Sequence, residues 1–80
     1  MPKLPQVSGK NLVELMYSLG YQILRQRGSH TQLKKVTTIG THTITVPLHK
    51  EVAKGTLNDI LNRISLFNNL NKEDLIKRLK

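Results

Sequence analysis

Cysteine and tryptophan are absent from this 80-residue chain, and its only aromatic residues are Tyr17, Tyr21 and Phe67. Without cysteine there are neither disulfides nor thiolate metal sites, which excludes secreted mini-scaffolds and zinc ribbons. Acidic residues are scarce too, 5 against 13 Lys and Arg, for a formal charge of +8. No apolar run approaches the ~20 residues of a membrane span. The opening Met1-Pro2-Lys3-Leu4-Pro5 lacks the apolar stretch of a signal peptide, so a cytoplasmic location and no membrane partner are expected. With 38% hydrophobic residues, the chain is expected to form one domain over 1–80 around a thin aliphatic core.

The excess of positive charge points to a polyanion as partner, because the summed field attracts phosphates before any specific contact forms. It is spread along the chain: residues 1–30 and 31–55 each carry +3 and residues 56–80 carry +2. A folded surface with a basic side describes this better than a disordered polycationic tail.

Leu12, Leu15, Met16 and Leu19 fall at i, i+3, i+4 and i+7, the stripe of an amphipathic helix over roughly 9–19. Ser8 is its expected N-cap and Gly20 its stop. From Tyr21 to Pro47 the pattern changes to three short strands, Tyr21–Arg27, His30–Val36 and Thr41–Val46, broken at Gly28-Ser29 and Thr37–Gly40, most simply an antiparallel meander. Leu57, Ile60, Leu61 and Ile64 repeat the helical stripe, with Thr56 as expected N-cap and Asp59 completing a capping-box-like exchange. A last short helix starts near Lys72, its acids early and its bases late as the macrodipole favours. The expected class is α+β, order α-β-β-β-α plus a C-terminal helix, with the helices on one sheet face and the other face open.

The two-residue strand period sends Leu33, Ile44 and Val46 inward, hence His30, Gln32, Lys34, Thr43 and Thr45 outward unless a bulge at Gly28 shifts the register. Imidazole both takes and gives a proton near neutral pH. On RNA it can take the proton of a ribose 2′-OH, which then attacks the adjacent phosphate while nearby cations stabilise the developing charge. Read from the residues alone, a histidine at the start of a strand is more often a solvated or capping side chain than a catalyst. His42 reads as a partly buried histidine at a strand entrance, and His49 as a loop residue making an ordering hydrogen bond in preference to a second acid or phosphate contact. A zinc triad from the three histidines has spacings of 12 and 7 that match no ligand signature. Lys54-Gly55-Thr56 ahead of the second helix offers a phosphate seat or simply a helix start; the upstream glycine of a nucleotide-binding P-loop is missing. Arg25 and Arg27 read by default as ordinary solvated strand residues, though they flank the candidate histidine.

Several segments together resemble the HicA toxins, small RNA-cleaving halves of toxin–antitoxin pairs. They are Leu4-Pro5, Val7-Ser8-Gly9-Lys10, Leu19-Gly20-Tyr21, Arg27-Gly28-Ser29-His30, Val46-Pro47-Leu48-His49, and Lys54-Gly55-Thr56-Leu57 with Ile60-Leu61. Each is short, and their order and spacing to about Ile64 carry the likeness. It implies a fold similar to a double-stranded-RNA-binding domain, and a metal-independent endoribonuclease acting on mRNA, without cofactor, whose catalytic histidine falls at His30. It also implies a HicB-type antitoxin that covers the active face. The turn Thr38-Ile39-Gly40 and the Asn-rich link Ser65–Asn71 depart from the family pattern. The expected roles are His30 as general base on the 2′-OH and acid to the leaving oxygen, and Arg27, Lys34 and Lys54 as phosphate contacts. Gly28 and Ser29 shape the turn that presents His30. The alternative is a non-catalytic RNA-binding module of the same fold.

Overall fold

The computed structural model describes residues 4–79. The order is α1 (Gly9–Ser18), β1 (Gln22–Arg27), β2 (His30–Thr37), β3 (Gly40–Pro47), α2 (Lys54–Asn68) and α3 (Lys72–Arg78). The strands form one antiparallel sheet in the order β1-β2-β3, so the α+β order expected from the sequence holds.

The apolar stripes explain the layering. Leu12, Leu15 and Met16 of α1 and Leu57, Ile60, Leu61 and Ile64 of α2 are buried with Leu33, Ile44 and Val46 of the sheet. Leu75 and Ile76 of α3 join the same core, so the C-terminal helix is an integral part of the packing. Ser8 caps α1, its hydroxyl accepting from the Asn11 amide at 3.1 Å, and Asn71 caps α3 through the Glu73 amide at 2.8 Å. Each satisfies a first-turn N–H that would otherwise lack a partner.

The expected cap of α2 is corrected. Its N-cap is Ala53 without a side-chain bond, Thr56 lies inside the first turn, and Asp59 pairs with Arg63 at 3.1 Å on the exposed face, where such a pair contributes little. The helix starts early because the loop before it is pinned: Val52 is buried and its amide donates to the Val7 carbonyl at 2.8 Å. At the other end Asn69, at φ 53°, closes α2 in the left-handed conformation.

One close approach locks α1 to the end of β3. A Cβ on Gly9 would stand 2.1 Å from the Pro47 carbonyl oxygen, and the Gly9 amide donates to the His49 carbonyl at 2.9 Å. Only glycine lets the first turn of α1 sit on the Pro47-Leu48 backbone. The helices lean on β3, and every residue of edge strand β1 is exposed.

Candidate functional site

His30 is the first residue of β2, paired with Arg27 of β1 and Pro47 of β3. Gly28 and Ser29 alone make the connection from β1. Gly28 has φ 58° while Ser29 stays at negative φ, the sign pattern of a type II′ hairpin turn with glycine first. No bulge falls at Gly28, so the strand parity holds: Thr31 and Leu33 are buried and His30 faces outward, exposed. The Leu48 amide donates to the Ser29 carbonyl at 2.5 Å, tying the turn to the chain just past β3.

The irregularity lies in β1 instead, between Ile23 and Arg25. Ile23 opposes inward Leu33, whereas Arg25 opposes outward Gln32 and Arg27 opposes His30. Leu24 is the extra residue of a bulge, which lets Ile23 turn inward while both arginines keep the face of His30. Arg25, Arg27, His30, Gln32 and Thr45 together line a shallow depression of about 160 Å³. Its walls carry two guanidinium groups and an imidazole and no carboxylate. Such a surface can receive a phosphodiester, since guanidinium grips phosphate oxygens bidentately.

The other residues singled out from the sequence fall elsewhere. Lys34 shares the outward face, opposite Gln22 and Thr43. Four residues along β2, at ~3.3 Å each, put it about 13 Å from His30. Lys54 opens α2 and is exposed, and neither lysine lines the depression. Arg25 does, a residue whose only signal in the sequence was its spacing of two from Arg27.

His42 lies on the inward side of β3, opposite Lys35. Its ring stacks on Phe67 with centroids 4.4 Å apart and meets Tyr21 edge-on at 5.7 Å. The Asn68 amide donates to the Tyr21 oxygen at 3.2 Å, and the Tyr21 hydroxyl and His42 Nδ1 are hydrogen-bonded to each other. Burial, and secondarily the Arg63 charge, holds the His42 pKa below its ordinary value, consistent with a neutral ring. His42 is thus a structural histidine, as its parity suggested. His49 orders its loop through its backbone carbonyl, bound by Gly9, and not through its side chain as expected. Among the described residues no three His, Cys, Asp or Glu side chains gather as a metal site, and no helix is long and apolar enough to cross a membrane.

A three-stranded sheet with helices on one face and a histidine beside two arginines on the other defines a small α+β protein with a cationic patch on its open sheet face. The family model described as HicA toxin of bacterial toxin-antitoxin matches residues 9–66, and the chain belongs to this family. It is accordingly a HicA-type toxin component of a toxin–antitoxin system, a class that implies an antitoxin partner of the HicB type. No curated protein and no solved structure matches the chain significantly.

Proposed function

We propose that this toxin is an endoribonuclease that cuts mRNA with His30 as its general base and without a metal ion. The observation that carries the reading is the outward imidazole of His30 flanked by Arg25 and Arg27 in one depression. His30 takes the proton of the ribose 2′-OH, and the 2′ oxygen forms a bond to the adjacent phosphorus. The bond from phosphorus to the 5′ oxygen breaks, leaving a 2′,3′-cyclic phosphate and a 5′-hydroxyl. In-line displacement sets the leaving oxygen on the far side of phosphorus from His30, so solvent at this open face supplies its proton. Arg25 and Arg27 hold the non-bridging oxygens, whose charge grows in the transition state. Gly28 and Ser29 fix the turn from which His30 projects, and Lys34 and Lys54 meet phosphates further along the strand.

The substrate supplies the nucleophile and its own phosphate, so one imidazole and two cations suffice. The test is cleavage of an mRNA fragment by the parent and by His30→Ala, each with and without a chelator. Cutting by the parent alone, indifferent to chelator, is expected; equal cutting by both proteins removes His30 from the reaction, and chelator sensitivity points to a metal. An RNA-binding module without catalysis would bind the fragment and leave it whole.

A further inference from the structure

A second concavity lies behind the sheet edge that carries His30. Ile23 faces inward beside Leu33, yet it is 44% exposed because no helix covers β1. Between β1 and α1 this leaves an open cleft of about 440 Å³ whose apolar walls include Val13, Ile23 and Leu48. Its rim carries Lys10 from α1 and His49 and Lys50 from the loop after β3, and no carboxylate lines it. We propose that this cleft seats an unpaired nucleotide of the substrate RNA next to the cleaved linkage, its base against the apolar walls and its phosphate between Lys10 and Lys50.

Continuity with the His30 depression supports this occupant. Thr31, the residue after His30, lines the cleft from the other face of β2. Leu48, one residue past the strand partner of His30, lines it too and is bonded to Ser29. An RNA strand rounding the Gly28-Ser29 turn therefore passes from one concavity to the other across a single strand end. The volume falls within the usual range of small-molecule sites, about 300–1,000 Å³, and an apolar wall under a cationic rim matches a base carrying a phosphate. With no Phe, Tyr or Trp in the cleft, the base is held by aliphatic contact, by shape and at the rim by the His49 ring, and a paired base cannot enter.

The seat rests on the reading of the chain as an RNA-acting toxin, and its test separates the two. Binding of a short fluorescent single-stranded RNA, and of the same sequence as a duplex, is measured for the parent, the Lys10→Ala/Lys50→Ala double variant and Gln26→Trp, which fills the cleft from β1 without changing charge. Lys77→Ala/Arg78→Ala removes the same charge from the exposed end of α3. Cleavage of the single strand is followed in parallel. Removing both lysines from that phosphate should weaken single-strand binding about tenfold and lower the salt slope by about 0.7. Gln26→Trp should weaken it with the slope unchanged, and the α3 variant should stay close to the parent. Cleft variants that bind and cut as the parent does overturn the seat while His30 stands. A parent that binds through the cleft but does not cut overturns the ribonuclease and keeps the seat, and a parent that binds no RNA overturns both. Cleft variants that keep RNA affinity but escape a co-expressed antitoxin make the cleft a protein-docking groove, which also overturns the seat.

Discussion

His30 and His42 belong to one sheet and differ in almost everything else. His30 opens β2 on the outward face beside its pairing partner Arg27, with Arg25 two residues further along β1 and solvent above it. His42 stands on the inward face near the opposite end, stacked on Phe67 and bonded to Tyr21, whose oxygen is held in turn by Asn68. Lys35 completes that cluster, donating to Asn68 at 2.6 Å with its ammonium 5.9 Å from the Tyr21 ring centre. One strand-face parity separates the proposed general base, open to solvent, from a histidine used as a wedge between β3 and α2. Burial and the Arg63 charge hold the inward ring toward its neutral form; the outward one stands exposed beside two arginines.

The largest effect that could break this contrast is on activity. His30→Ala should lower RNA cleavage by about 10²–10⁴-fold, the usual contribution of a general base, and leave the melting temperature within about 1 °C because an exposed side chain outside the core is lost. His42→Ala should do the reverse, with cleavage per folded molecule preserved and stability reduced. A substantial loss of cutting in folded His42→Ala would mean that the two ends of the sheet are coupled.

Gly9→Ala probes the scaffold beneath the outward site. The new methyl collides with the Pro47 carbonyl, a backbone atom that cannot swing away. A cost of about 2 kcal/mol is expected from such overpacking, and thermal unfolding should show a midpoint about 10 °C lower. Because Pro47 pairs with His30, the residual activity should fall by more than the unfolded fraction explains. An unshifted midpoint would mean that α1 can lift off β3 freely.

Much of this was legible because the relevant patterns are local. The helical stripes, the Ser8 cap, the Gly28-Ser29 turn and the parity of β2 and β3 depend on short periodicities, and they placed His30 outward and His42 inward. β1 was different. Ile23 and Leu24 are adjacent apolar residues of which either could face inward, and the bulge that puts Ile23 there is decided by pairing with β2, not by β1 itself. Arg25 consequently reads as a solvated strand residue until the register is known. Thr56 misled because it has the right side chain for a cap, while the burial of Val52 starts the helix three residues earlier. The cleft under β1 had no local signal either, since it arises from where α1 stops covering the sheet.

Arg25 gives a middle-sized test. If both arginines grip the scissile phosphate, Arg25→Gln and Arg27→Gln should each slow cleavage by about tenfold to a hundredfold, in line with the loss of one charged hydrogen-bond donor, and Lys34→Ala should slow it less. A Lys34→Ala defect equal to that of Arg25→Gln would shift the phosphate site along β2, away from the depression around His30.

The smallest expected effect is the pH dependence of stability contributed by His42. Burial and the nearby Arg63 lower its pKa in the folded protein, so the unfolded chain binds the proton more readily. The stability associated with the neutral ring is therefore fully present above the unfolded value of about 6.5 and is lost as pH falls below it. Carboxylates also titrate at lower pH, and comparison with His42→Gln isolates the imidazole. Melting temperatures measured between about pH 8 and pH 5 should fall further for the parent than for His42→Gln, the difference opening below about pH 6.5. His30→Gln, which removes the exposed ring instead, should follow the parent curve. Identical curves for all three proteins would show that His42 accepts a proton as easily inside the sheet as outside it, and the division between a buried wedge and an open base would lose its electrostatic half.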